Sequence, residues 1–110
     1  MTINKKEKII YNFAKEFTST PGPRYKRLGD SSGEEFRDDI LKKLLNEYEI
    51  IEIDGSDIIT SFNPSFLSEA FVPLLIKMGK DEFFRRIKLY SKTNPRLEEK
   101  FRQYVEIVVK

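Results

Sequence analysis

Asn63 and Pro64 stand between an isoleucine-rich run and a long apolar-periodic segment, and they leave the chain few options at that point. Asn before a helix can accept a hydrogen bond as its N-cap, and Pro fits the first turn because its missing N–H would have no intrahelical partner there. Phe66, Leu67, Ala70, Phe71, Leu74, Leu75 and Met78 follow at helical spacing, the pattern of a helix that closes over a sheet. Gly79 is placed to end it. Pro73 falls inside, where it deletes the hydrogen bond to the Glu69 carbonyl and predicts a kink or a break. Ser65 lies in the first turn, where unpaired backbone N–H groups and the helix dipole favour an anionic group.

The flanking segments supply partners for this helix. Ile9, Tyr11 and Phe13 alternate with polar or small residues, which predicts a half-buried strand over 8–14, and the lysines around it suit a sheet edge. Residues 18–30 hold two prolines and two glycines and read as a loop. Ser32 and Glu35 have capping-box spacing ahead of a helix whose inward positions are Phe36, Ile40, Leu41, Leu44, Leu45 and Tyr48. A β-branched strand follows over 49–55 and is expected to resume over 57–60. Asp81 to Phe84 add a helical turn, and Arg86 to Tyr90 alternate as a strand with one wet face. Asn94-Pro95 repeats the cap-then-proline start before a last helix with Leu97, Phe101, Tyr104, Val105 and Val108 inward. The order β-α-β-α-β-α predicts an α/β layered domain, one domain over residues 1–110 with 1–7 flexible.

Several chemistries are excluded by what is missing. There is no cysteine and no histidine, which removes thiolate chemistry, disulfides and the commonest general base and metal ligand. No glycine-rich phosphate loop or nucleophile elbow occurs. Asp54 and Asp57 flank a strand-end turn and could hold a cation, but a turn aspartate bonding its own backbone is the simpler reading. No enzyme activity, metal or cofactor is expected. The cysteine-free composition, the lack of a secretory signal and an apolar run of only Ala70 to Ile76, against the ~20 residues of a membrane span, lead us to expect a cytoplasmic protein away from membranes. Fourteen Phe and Tyr in 110 residues suffice for an ordered core.

Two surfaces stand out. On a helical wheel Ser65, Glu69, Val72 and Ile76 form one stripe opposite the apolar face, a candidate docking strip for another protein or a second copy of the chain. Alternatively, the kink at Pro73 turns Val72 and Ile76 into the protein's own core. Arg24, Tyr25, Lys26 and Arg27, with Arg85, Arg86 and Lys88, offer a nucleic-acid alternative, since basic side chains around a Tyr suit backbone contact plus stacking. The net charge of only +2, spread in a basic–acidic–basic order along the chain, counts against nucleic acid.

The motifs Ser32-Gly33-Glu34-Glu35-Phe36-Arg37 and Ser65-Phe66-Leu67-Ser68-Glu69-Ala70-Phe71, with Gly22-Pro23-Arg24 upstream, resemble the small STAS-like domain proteins of bacteria and archaea. The resemblance implies a STAS-type fold, a mixed sheet of about four strands with helices on one face, related to anti-sigma factor antagonists and the cytoplasmic domains of sulfate transporters. In the antagonists a serine at the start of the helix after a buried strand is phosphorylated by the partner kinase, which switches binding off. Their Asp-Ser-Ser-Gly-Leu aligns with Asn63-Pro64-Ser65-Phe66-Leu67, so Ser65 takes the phosphorylated position. The resemblance thus implies a regulatory module, while the expected exposure of Val72 and Ile76 in the strip leaves monomer and homodimer both open. Its partner would be a histidine-kinase-like ATPase or a regulator, met through Asn63, Ser65, Glu69, Val72, Ile76 and Arg24. Ser65 also reads as a serine that merely completes a helix start.

Overall fold

The computed structural model describes residues 5–107. Strand β1 (Lys6–Asn12) takes in the end of the 1–7 segment and runs into a short helix α1 (Phe13–Glu16) capped by the Asn12 side chain. A 3-10 turn (Lys26–Leu28) interrupts the long loop. Helix α2 (Gly33–Glu35) passes through a π-helical stretch (Phe36–Leu41) into α3 (Lys42–Glu47), and β2 (Tyr48–Asp54) follows. Then come α4 (Pro64–Met78), α5 (Lys80–Arg86), β3 (Ile87–Tyr90) and α6 (Arg96–Ile107). Val108, expected in the buried stripe of the last helix, lies outside the described residues, and Tyr104 of that stripe is partly exposed.

Among the described residues the sheet has three strands in the order β1-β2-β3, all parallel, where about four strands in a mixed sheet were expected. Both connections are helical crossovers, which deliver the next strand in the same direction. Residues 57–60 do not resume β2. The Gly55 N–H donates to the Tyr90 carbonyl at 2.7 Å as the chain leaves the sheet, and Asp57 takes a left-handed φ of 67°. Ile59 then points to solvent, 78% exposed, with no strand beside it.

Period two along each strand decides which face is dry. Ile9, Tyr11, Ile51, Ile53, Ile87 and Leu89 share the covered face, while Lys8, Ile10 and Lys88 lie open on the other. The core over the covered face combines leucine and isoleucine with seven buried phenylalanines. All nine Phe side chains join one network of ring contacts that runs from Phe62 through Phe13, Phe36 and Phe71 to Phe83, Phe84 and Phe101. Gly33 lets α2 reach α4, because a Cβ there would stand 2.6 Å from the Phe66 carbonyl oxygen.

The capping box forms with one change. Ser32 Oγ accepts from the Glu35 N–H at 3.0 Å, but the Glu35 carboxylate reaches one residue further back, to the Ser31 N–H at 3.1 Å. Ser31 adopts φ 57°, which turns its N–H toward that carboxylate.

Candidate functional site

The start of α4 forms as the sequence requires. Asn63 Oδ1 accepts from the Phe66 N–H at 2.7 Å, while its Nδ2 donates to the Gly22 carbonyl at 3.2 Å. One side chain therefore caps the helix and pins the long loop beside it. The loop is held further by Gly33 N–H to the Pro23 carbonyl, Glu34 N–H to the Arg24 carbonyl, and Glu34 Oε1 accepting from the Lys26 N–H.

These bonds bring together two features far apart in sequence. Asn63 and Ser65 line a shallow depression of about 420 Å³ with Pro23, Arg24, Tyr25, Arg27 and Leu28. Arg24 and Arg27 both lie over the Tyr25 ring, at 5.9 and 5.2 Å from its centroid. Leu28 is exposed at the rim. The corner is therefore open to solvent, with a serine, a helix N-terminus and two guanidinium groups facing one space. Such a set can receive an anionic or hydrogen-bonding group of another molecule.

The docking strip along α4 does not survive intact. Val72 is buried at 7% exposure, so it is withdrawn as a contact residue. The helical wheel assumed one dry face, whereas α4 packs against α2, the π-helical stretch, α5 and α6. Ile76, a turn beyond, is 66% exposed.

Glu69 is half-buried and occupied. Arg37 Nη1 donates to Glu69 Oε2 and to the Glu69 carbonyl, each at 2.6 Å, and Arg24 stands 3.7 Å from Oε1. The Glu69 carbonyl is the one that Pro73 leaves without its intrahelical donor. Arg37 supplies that donor from the π-helical stretch, so the helix carries its proline without an orphaned acceptor. Burial works against the Arg37 charge, but the hydrogen bonds to Glu69 and Asp38 outweigh it and raise the guanidinium pKa above its ordinary value. Burial also opposes ionisation of Asp38, yet Arg37 and Lys42 hold its pKa below the usual carboxylate value. The sequence signal for this clamp was Pro73 itself: a freed carbonyl inside a packed helix needs a donor.

We expect Arg37→Ala to cost about 2–3 kcal/mol, the loss of a charge-assisted bond plus an unpaired acceptor. In a Pro73→Ala background the same change should cost less, since the backbone N–H regained at that position can take over the Glu69 carbonyl. Denaturant unfolding of the four chains measures the coupling, and equal costs in both backgrounds would show that Arg37 does not serve that carbonyl.

The nucleic-acid set divides between the two ends of the sheet. Arg86 is buried and donates to the Leu45, Tyr48 and Glu49 carbonyls at 2.8–2.9 Å, so it is withdrawn as a phosphate contact. Arg85 stands 3.8 Å from Glu49, and Lys88 lies on the open sheet face. Only Arg24 to Arg27 remain together, with Lys26 paired to Asp39 at 3.6 Å. Asp54 is a turn aspartate: its Oδ1 accepts from the Ser56 N–H at 2.9 Å. Among the described residues no three His, Cys, Asp or Glu side chains converge on a point, and no helix is long and apolar enough to cross a membrane.

A family model described as a STAS-like domain of unknown function (DUF4325) matches residues 32–96, from the capping serine of α2 to the first residue of α6. No curated protein and no solved structure matches the chain.

Proposed function

Because this chain belongs to the STAS-like domain family of unknown function, whose model covers more than half of it, we propose that it is a non-enzymatic regulatory module that docks another protein at the Ser65 corner. The observation that carries this is the shared depression: the loop 23–28 is bonded onto the start of α4, so Asn63 and Ser65 open into the same space as Arg24, Tyr25 and Arg27. Aromatic and arginine side chains around a helix start are the residue types that anchor protein interfaces. Ile76 extends the contact along α4.

Ser65 is the switch in this proposal. A partner kinase of the histidine-kinase-like ATPase class transfers the γ-phosphoryl group of ATP to Ser65 Oγ, releasing ADP and the hydroxyl proton. The added charge, nearly −2, meets the positive end of the α4 dipole and the guanidinium groups of Arg24 and Arg27. It thereby fills the space that a partner of the unmodified chain would enter. The protein works in the cytoplasm.

Affinity capture with the full chain tests this directly. Wild type and Ser65→Ala should retain the same protein, and Ser65→Asp and Arg24→Glu should each weaken its retention by about tenfold, as a misplaced charge in an interface does. Equal retention by all four chains would remove the Ser65 corner as the docking site. Binding of a single-stranded oligonucleotide at low salt, lost in Arg24→Glu, would establish the nucleic-acid alternative instead.

A further inference from the structure

At the far end of α4, twelve residues from Ser65 and therefore about 18 Å along the axis, the surface has a different character. An open cleft of about 320 Å³ lies between α3, α4, the end of α5 and Lys5, the residue before β1. Leu45, Leu74 and Met78 form its apolar floor, Leu45 and Leu74 from the core side and Met78 half-buried at the edge, with Asn46 beside them. Its charged lining is all of one sign: Lys5, Lys42, Lys77 and Arg86, with no carboxylate.

These cations are not equivalent. Arg86 spends its guanidinium on three backbone carbonyls and on Glu82, at 3.7 Å. Lys42 is partly balanced by Asp38 at 3.2 Å. Lys5 and Lys77 have no carboxylate within 4.0 Å among the described residues, and both are exposed at the rim. An apolar floor under two uncompensated lysines is the complement of a carboxylate-bearing amphipathic segment.

We infer that this cleft is a second interaction surface, one that takes an acidic amphipathic peptide of a partner protein. Apolar side chains of that segment pack on Leu45, Leu74 and Met78, and its carboxylates meet Lys5 and Lys77. The apolar floor favours such a peptide over nucleic acid, whose phosphates would gain nothing from it. A concave cleft with lysines at the rim likewise suits a side chain entering it better than a flat lipid surface. Met at the edge adds an adaptable wall.

Fluorescence anisotropy with the full chain supplies the test. The probe is a labelled synthetic helix-forming peptide with Leu at i, i+3 and i+4 positions and Glu beside them, together with its Glu→Gln counterpart. The acidic peptide should bind and the neutral one should not. Lys5→Glu with Lys77→Glu should weaken binding by at least about tenfold. Lys15→Glu with Lys88→Glu, an equal charge change at exposed sites elsewhere, should leave it within about twofold. Both double variants change only exposed side chains, and unchanged thermal midpoints would verify that they fold.

No binding of the acidic peptide overturns the inference. So does an equal loss in the two double variants, which would make net charge the cause. Displacement of the peptide by a single-stranded oligonucleotide, or by phosphatidylserine vesicles at matched charge concentration, would transfer the site to those ligands and likewise overturn it.

Discussion

Arg86→Met should destabilise the protein by about 3–5 kcal/mol, although the apolar volume of the side chain is largely kept. The reason lies in the register of the sheet. Ile51 of β2 pairs with Ile87, the first residue of β3, so the beginning of β2 extends beyond its neighbour on that side. The Tyr48 and Glu49 carbonyls have no β3 partner there. The Leu45 carbonyl is in the last turn of α3, where no further helical N–H follows. Arg86 satisfies all three with one planar group, and its side chain is only 9% exposed. Methionine would leave three carbonyls without their protein donor, the Leu45 one in buried surroundings. Arg86→Lys should recover only part of the loss, since an ammonium cannot reproduce the fork that spans three carbonyls. Urea unfolding of the three chains measures this. A methionine variant within about 1 kcal/mol of wild type would mean that water reaches these carbonyls and that Arg86 is dispensable.

Phe36→Ala is the second large effect. Phe36 is fully buried and its ring meets Tyr11, Phe13, Phe17, Phe66 and Phe71 at centroid distances of 5.1–6.3 Å. It therefore joins the sheet, the first helical crossover and α4 in one contact set. Truncation should cost about 3–5 kcal/mol, a large part of the 5–15 kcal/mol typical of a domain this size. Phe36→Leu, which keeps most of the volume and loses the edge-to-face geometry, should cost less than half as much. Calorimetric midpoints and denaturant curves would check both. If alanine costs no more than leucine, the surrounding rings collapse into the space, and the network is plastic rather than close-packed.

The two substitutions bear differently on the Ser65 corner. Phe36 and Phe66 are in ring contact, and Phe66 follows Ser65 in the first turn of α4. Loosening that contact disturbs the depression between Ser65 and the loop 23–28. Arg86 acts at the opposite end of the sheet, beside the basic cleft. A partner that depends on the Ser65 corner should therefore lose affinity in a folded Phe36→Leu chain more than in a folded Arg86→Lys chain.

Much of the architecture was legible in local chemistry. Asn63-Pro64 and Ser32 through Glu35 encode their helix starts in the donors and acceptors of three or four adjacent residues. Most apolar positions of α3 and α4, and Leu97, Phe101 and Val105 of α6, follow from a 3.6-residue period, while Tyr104 departs from it; the covered positions of β1, β2 and β3 follow from a period of two. Even the loss of the helical donor to the Glu69 carbonyl could be read from Pro73. Local chemistry did not decide the fate of Val72 or Arg86. A single-face wheel exposes Val72, whereas the packing of α4 against several neighbouring elements leaves it buried. Arg86 resembles any surface cation until the offset of β3 against β2 puts three carbonyls around it.

The site divides in the same way. That Ser65 begins a helix follows from its neighbours in the chain, because capping and proline geometry act over one turn. That Arg24, Tyr25 and Arg27 open onto the same space depends on Asn63 reaching the Gly22 carbonyl, and on Gly33 admitting α2 to within contact of Phe66. Those contacts join residues more than thirty positions apart, and no periodicity or propensity encodes distance on that scale. The strand count came out the same way. The isoleucines of 57–60 suit a strand, but a strand needs a neighbour to pair with, and the chain leaves the sheet at Gly55 before one is available.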